Sequence, residues 1–362
     1  MRQPKPSLLK RHLLATLCLM LLFWGNTKAQ VGGNSVYDFI DLPASARITG
    51  AGGNLMATKD NDLSLAYHNP SLLNPSMHNT IIANTALYMG GIKHGYFAYA
   101  RDYAKIATFQ AGMQFISYGQ FNQTDENGNL NGQFRAGEFA LNLGASKQVE
   151  KYSFGGNLKF IYSGMESYHS GGMALDLAAA YHDTAKMFTA SILVKNIGFQ
   201  FKPYVDGNRE QLPFALEAGF SKRLKFIPFR IGVIIHDIQQ FDLRYEDPNA
   251  NSNDDLLLGD TTSNEEGGKV GEVFDNIARH FIINGELYIA KVVRIGFGYN
   301  HQRRAELAAD AKKGLSGFSF GLGITIKQFQ FSFARARYSG RAATTQFTVG
   351  IDLNKFVKKK KE

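Results

Sequence analysis

Cysteine and tryptophan are almost absent from the sequence, which has one of each, Cys18 and Trp24. Both lie within residues 1–29, which have the composition of a secretion signal: a basic start, an apolar run over 13–24 and small residues before Gln30. We expect this signal to be removed, with a retained N-terminal anchor as the alternative. Without it the chain has no cysteine, which excludes disulfides, thiolate metal sites and thiol nucleophiles.

The net charge is also small once the signal is removed. Five basic residues are lost with the signal, so the formal net charge falls from +9 to +4. Residues 358–362, four lysines and one glutamate, account for most of that remainder. The basic composition is therefore no argument for a nucleic-acid partner, and we expect none. Residues 357–362 are predicted to form a basic periplasmic tail that is solvated or touches anionic headgroups or an acidic partner.

Long apolar runs are missing beyond the signal, so no segment reaches the roughly 18 residues that identify a membrane-spanning helix. Instead, apolar residues alternate with polar or small ones, as in Phe139, Leu141 and Leu143 against Glu138 and Asn142. A period of two puts successive side chains on opposite faces of a sheet. The same pattern returns over 229–235, 318–324 and 347–353. Many such strands without intervening helices are typical of outer-membrane barrels.

We count fourteen candidate strands from residue 80 onward. They predict an all-β fold: a 14-stranded antiparallel transmembrane β-barrel of the outer membrane over residues 80–356. Tight links are predicted near residues 103, 149, 185, 225, 291 and 327, and long links at 120–133, 164–171, 197–211, 242–278 and 303–313. Since such barrels have short periplasmic turns and long outer loops, this alternation predicts loops at the cell surface and both termini in the periplasm.

Residues 30–79 differ from the rest of the chain, with three prolines, a small-residue run at 50–53 and no sustained alternation. Together with many inward glycines, they predict an N-terminal plug, or hatch, inside the barrel. Charged side chains that face a confined lumen need partners. We therefore expect a lumen charge network of Glu138, Lys159, Asp176, Glu217, Arg230, Glu286 and Arg294.

The longest predicted loop, 242–278, is acidic and rich in asparagine, serine and glycine. It is interpreted either as a solvated outer loop or as a loop that docks a partner protein. The candidate docking residues are Asp254, Asp255, Asp260, Glu265 and Glu266.

No zinc signature is evident beyond the signal, because the eight histidines there form no His-x-x-x-His or His-x-His pair. We predict a protein that is not an enzyme and has no catalytic, metal-binding or cofactor-binding residues. A hydrolase site assembled from scattered strands is the alternative that the sequence leaves open.

Two short motifs in residues 41–75 resemble the opening of long-chain fatty-acid-transporter-like barrels. An alanine-, arginine- and glycine-rich run from Asp41 to Gly53 precedes Asn69-Pro70-Ser71-Leu72-Leu73, which matches the Asn-Pro-x-x-Leu motif before the first strand of those barrels. Within that superfamily, residues 33–43 are most similar to the PorV/PorQ family of the type IX secretion system of Bacteroidota. The residues that carry the hatch motif are Gly50, Gly52, Gly53, Asn69, Pro70, Leu72 and Leu73.

The resemblance implies a non-enzymatic role in the outer membrane. Family members take part in a cell-surface attachment complex with the PorU sortase, PorV and PorZ, which processes secreted cargo and attaches it to lipopolysaccharide. The expected partners are therefore a PorZ-like surface protein, together with PorU and PorV, and outer-membrane lipid or lipopolysaccharide. The competing expectation, implied by the wider superfamily, is a transporter of hydrophobic compounds.

Overall fold

The computed structural model describes residues 35–244, 265–290, 292–307, 315–337 and 343–356. Several sequence-based expectations fall on other residues and so lie outside the described part of the chain: the signal 1–29, the tail 357–362, and Asp254, Asp255 and Asp260 of the candidate docking loop. For Glu265 and Glu266 the helical backbone alone is described.

Fourteen antiparallel strands form one closed barrel, in which each strand pairs with its neighbour in the chain and β14 returns to pair with β1. This confirms the predicted fold class. The strands are β1 Thr80–Leu87, β2 Lys93–Tyr103, β3 Ala107–Thr124, β4 Leu130–Val149, β5 Tyr152–Met165, β6 Tyr168–Asp183, β7 Phe188–Lys202, β8 Ala215–Arg223, β9 Phe229–Ile235, β10 Phe281–Ile289, β11 Val293–Asn300, β12 Phe318–Ile326, β13 Phe329–Arg337 and β14 Ala343–Asp352.

The two faces of the wall differ as the alternation predicts. Phe139, Leu141 and Leu143 are each more than 40% exposed on the outside, whereas Glu138 and Asn142, at the alternate positions, are buried. Equivalent apolar residues point outward on the other strands and form a belt around the barrel. An apolar exterior around a polar interior is the pattern of an outer-membrane barrel. Among the described helices, none has the length and apolar character needed to cross a bilayer.

The wall is much taller on one side. Strands β3–β7 have 14 to 20 residues, whereas β8–β14 have 7 to 10. Because about 9–11 residues suffice to cross the membrane, β3–β7 extend beyond the belt. They do so at the end of the barrel opposite β1 Thr80 and β14 Asp352, which we call the loop end.

Several predicted links at the loop end are wrong. Residues 120–133 are mostly strand, because β3 runs to Thr124 and β4 starts at Leu130, and only residues 166–167 separate β5 from β6. The chain here is polar and rich in glycine and asparagine, since a ribbon outside the membrane needs no apolar face, and so it gives no alternation signal. The predicted loop 242–278 contains a helix, Glu265–Arg279. A second helix, His301–Leu307, follows β11.

Residues 35–79, which we call the N-terminal segment, lie inside the barrel. The segment contains two short helices, α1 Ala46–Gly50 and α2 Leu65–His68, and three 3₁₀ turns. In chain order the later helices are α3 Glu265–Arg279 and α4 His301–Leu307. The side chains that contact the segment point inward from strands around the barrel: Gln110, Gln114, Asn157, Ser191, Ser221, Glu286 and Gln346.

Apolar packing also holds the segment against the wall. Leu63, Tyr67 and Met77 are buried with Tyr96 of β2, and the Tyr67 and Tyr96 ring centroids are 5.0 Å apart. The Tyr67 hydroxyl donates a hydrogen bond to the carbonyl of Ile40. The segment and the inner face of the barrel therefore share one small apolar core.

Candidate functional site

Arg47 of α1 is at the centre of the largest charge cluster in the lumen. The helix begins where Ser45 Oγ accepts a hydrogen bond from the Ile48 amide. Arg47 Nε then lies 2.7 Å from Glu286 Oε1, and Nη2 lies 2.6 Å from Asp60 Oδ2. Burial alone would lower the pKa of Arg47, but Asp60 and Glu286 raise it well above its usual value, so the guanidinium stays charged.

The cluster balances three arginines against three carboxylates. Arg230 Nη1 lies 3.1 Å from Glu286 Oε2, and Arg294 Nε lies 3.5 Å from Glu286 Oε1. Asp62 Oδ2 lies 3.2 Å from Arg47 Nη1. Burial would raise the pKa of Asp60, but Arg47 and Arg230 lower it overall. The ionised groups thus join the N-terminal segment to β9, β10 and β11.

A second cluster joins the segment to the tall side of the wall. Lys159 Nζ and Asp176 Oδ2 are 2.7 Å apart and fully buried between β5 and β6. Lys195 Nζ lies 3.2 Å from Glu217 Oε1 and 2.9 Å from Asp41 Oδ1 of the segment. Removing one member of such a buried set would leave its partner as an uncompensated charge.

The structure therefore separates the seven expected lumen residues into groups. Arg230, Glu286 and Arg294 share the Arg47 cluster, while Lys159, Asp176 and Glu217 belong to the second one. Glu138 stands apart and accepts a hydrogen bond from the Tyr118 hydroxyl, 2.5 Å away. Arg47, Asp60 and Asp62 were not expected in the network, because they lie outside the strands and no alternation assigns them to the lumen.

The hatch glycines lie where the segment touches the wall. A Cβ on Gly50 would be 2.7 Å from Gly321 Cα of β12, so α1 packs backbone to backbone on that strand. Gly52 and Gly53 each have a φ of +96°, which a residue with a side chain rarely adopts. On the wall, a Cβ on Gly298 of β11 would overlap the backbone of Ala51 and Gly52.

Asn69 organises the Asn-Pro-x-x-Leu motif. Its Oδ1 accepts hydrogen bonds from the amide and hydroxyl of Ser71, and its Nδ2 donates to the Met56 carbonyl at 2.6 Å. Pro70 occupies the first position of the following 3₁₀ turn, where no amide is needed. Leu72 and Leu73 of the motif are buried. The motif thus fixes the turn that leads the segment toward β1.

We expect Asn69→Ala to lower the free energy of unfolding by about 1–3 kcal/mol, because it removes a turn cap and leaves the Met56 carbonyl without its buried donor. Urea unfolding of the protein in detergent micelles measures the change. Asn127→Ala is the matched control, since Asn127 lies in an exposed turn. Equal stability of the two variants would contradict the proposed role of the cap.

One sequence motif typical of hydrolases does occur, at Gly317-Phe318-Ser319-Phe320-Gly321. A nucleophile elbow needs a sharp turn between a strand and a helix, but Phe318–Ile326 is strand β12. The motif is therefore part of the barrel wall. Among the described residues, no group of three or more His, Cys, Asp or Glu side chains could hold a metal ion.

An apolar pocket of about 590 Å³ lies at the loop end, on the inner face of the tall wall. It is lined by Tyr118, Phe121, Phe134, Ala136, Met165, Glu166 and Tyr168. The Phe121 and Phe134 rings stack with centroids 5.4 Å apart. The pocket was not predicted, because residues 120–133 were expected to form a loop, in which Phe121 has no assigned face.

Together, the closed 14-stranded wall, its apolar exterior and its polar interior define an outer-membrane β-barrel that encloses an N-terminal segment. No protein-family model matches the sequence, and no curated protein does.

Solved structures that are similar to this chain include three barrels. The Pseudomonas putida toluene transporter TodX is 11% identical, with 89% of this chain and 98% of that chain covered and a TM-score of 0.48. The CymD monoaromatic hydrocarbon channel is 10% identical, with 87% and 97% covered and a TM-score of 0.49. The KdgM porin is 6% identical, with 75% and 98% covered and a TM-score of 0.33. Because these TM-scores are below 0.5, we draw no conclusion about family or function from them.

Proposed function

We propose that this protein is a non-enzymatic outer-membrane anchor that holds a partner protein at the cell surface. The observation that carries the proposal is the N-terminal segment inside the lumen. Two buried charge clusters and the backbone contacts of Gly50 and Gly298 hold the N-terminal segment inside the barrel. With the segment inside the lumen, we place the function at the loop end, where β3–β7 extend beyond the belt.

The partner is proposed from the resemblance of residues 33–43 to the PorV/PorQ family. On that basis the barrel anchors the type IX attachment complex, in which a PorZ-like protein acts together with the PorU sortase and PorV. The loop end would then face the cell surface, and both termini would face the periplasm. Lipopolysaccharide and other outer-membrane lipids would contact the apolar belt.

The test is the surface retention of the PorZ-like protein in cells that lack the barrel, compared with cells that carry a tagged copy. We expect the PorZ-like protein in the medium when the barrel is missing, and on the cells, co-purifying with the tagged barrel, when it is restored. Its retention on cells without the barrel would contradict the anchor function.

A variant in which Asp254, Asp255, Asp260, Glu265 and Glu266 become Asn or Gln tests the candidate docking loop separately. If this loop docks the partner, the variant barrel is inserted normally but retains less of the PorZ-like protein. Unchanged retention would remove the loop from the proposal and leave the anchor function in place.

Transport of hydrophobic compounds is the second candidate, and the apolar pocket at the loop end favours it. By their names, TodX is a toluene transporter and CymD is a monoaromatic hydrocarbon channel, but their similarity to this chain is too low to support the assignment. Mass spectrometry of organic extracts from the purified barrel tests this candidate. A stoichiometric apolar molecule that is lost in Phe134→Ala would support transport, whereas its absence from the wild-type barrel would count against it.

A further inference from the structure

The β3–β4 hairpin continues beyond both of its neighbours at the loop end. Pairing between β4 and β5 stops at Ala136 and Met165, and pairing between β2 and β3 stops at Lys93 and Ser117. The two strands pair with each other as far as Thr124 and Leu130. Residues 130–135 of β4 therefore have a strand partner on one side and an open edge on the other.

An open edge presents unpaired backbone amides and carbonyls that can bind another strand. Residues 130–133 of β4 are all exposed, and Arg135 is exposed as well. In the described part of the chain, no backbone hydrogen bond from another element covers this edge. An added strand would continue in line with β5, beyond the point where β5 ends at Met165.

The apolar pocket lies beside this edge. Phe134 shares the inner face of β4 with Ala136, because residues two apart point to the same side of a strand. A register shift between Ser117 and Gly119 brings Phe121 of β3 to that face as well, where it stacks on Phe134. A strand on the open edge would thus have every second side chain directed toward the pocket.

One carboxylate lines the pocket, and a second lies beside it. Glu166 lines it, and its Oε1 accepts a hydrogen bond from Gln123 Nε2 at 3.0 Å. Glu138 lies below Tyr118 and accepts the hydrogen bond of its hydroxyl. Glu166 is exposed and forms no ion pair with another described residue, so it favours a basic side chain on whatever binds.

We propose that residues 130–135 of β4 accept an extended segment of a partner protein as an added strand, with an apolar side chain in the pocket and a basic side chain opposite Glu166. The inference rests on the proposed function and names the surface that holds the partner. Backbone hydrogen bonds supply the affinity of such strand addition, and the pocket supplies the specificity.

The test uses a defined probe, a fluorescent peptide of alternating valine and lysine with a central phenylalanine, and the full-length protein in detergent micelles. We expect saturable binding to the wild-type barrel. N-methylation of alternate peptide residues in one register should abolish binding, because it removes the amides that face β4, while methylation in the other register should leave it unchanged. Equal binding of both methylated peptides would overturn strand addition.

Variants of the barrel test the pocket. Phe134→Ala should weaken binding of the peptide roughly tenfold, as expected for losing most of one buried aromatic contact. Glu166→Gln should weaken it several-fold at low salt and less at high salt. The matched control is Phe139→Ala, a phenylalanine on the outer face of the same strand. Heat-modifiable migration on gels verifies that each variant is folded.

Three further outcomes would overturn the inference: no binding to the wild-type barrel, equal binding to Phe134→Ala and wild type, or complete displacement of the peptide by a fatty acid that itself binds in the pocket. The last outcome would favour transport instead. Failure of the strand-addition proposal can be distinguished from failure of the anchor function. If Phe134→Ala cells retain the PorZ-like protein while barrel-deficient cells release it, the anchor stands and this surface is wrong.

Discussion

Arg47→Ala is expected to cost about 3–5 kcal/mol of unfolding free energy, as removal of one partner from a buried ionic cluster does. The Arg47 side chain is 2% exposed, and it binds Asp60, Asp62 and Glu286 together. Without it, Arg230 and Arg294 remain near Glu286, but the two aspartates of the N-terminal segment lose their main cation. The segment should then leave its position inside the wall.

Urea unfolding in detergent measures the stability, and conductance in planar bilayers detects an opened lumen. We expect Arg47→Ala to conduct ions and the wild type to remain closed. Arg101→Ala is the control, because Arg101 is an exposed arginine near the end of β2. Arg47→Lys should show smaller changes in stability and conductance in the same direction, since an ammonium cannot reproduce the forked contacts of the guanidinium. A closed, fully stable Arg47→Ala barrel would show that the cluster does not hold the segment.

Gly298→Ala is expected to open the lumen by steric means. Its Cβ would overlap the backbone of Ala51 and Gly52, which cannot move without shifting α1 away from β12. Overpacking of this kind typically costs about 1–3 kcal/mol. The barrel wall itself has no reason to change, because the new methyl group points inward.

Gly296→Ala is the matched control, on the same strand and the same inward face. The nearest atom to a Cβ on Gly296 is 3.9 Å away, at the Gly321 carbonyl oxygen, so this methyl group fits without adjustment. Conductance and urea unfolding should therefore separate the two alanine variants. If Gly298→Ala is as closed and as stable as Gly296→Ala, the segment does not pack on β11 as described.

Much of the barrel could be predicted from local sequence. The alternation of Phe139, Leu141 and Leu143 with polar residues identifies a membrane strand without knowledge of its neighbours, because lipid and lumen impose opposite demands on adjacent positions. Arg230, Glu286 and Arg294 were expected to face the lumen for the same reason. The pairing of Glu286 with Arg47 could not be predicted in this way, since it joins residues that are 239 positions apart.

The loop end escaped prediction for a related reason. Residues 119–124 and 130–133 form strands with water on both sides, so their side chains follow no alternation. Phe121 gave no signal on its own, and its stacking on Phe134 depends on the register shift after Ser117. Helix α3 was likewise hidden in a loop whose composition is polar and acidic.

By itself, the sequence determined the number of strands, the apolar belt and the polar interior, because each of these follows from the environment of single side chains. The tertiary structure alone decided which charges meet, where Gly298 touches the N-terminal segment and where the edge of β4 lies open. Those features depend on closing the barrel around the segment, which brings together residues that are far apart in the chain and fixes their register.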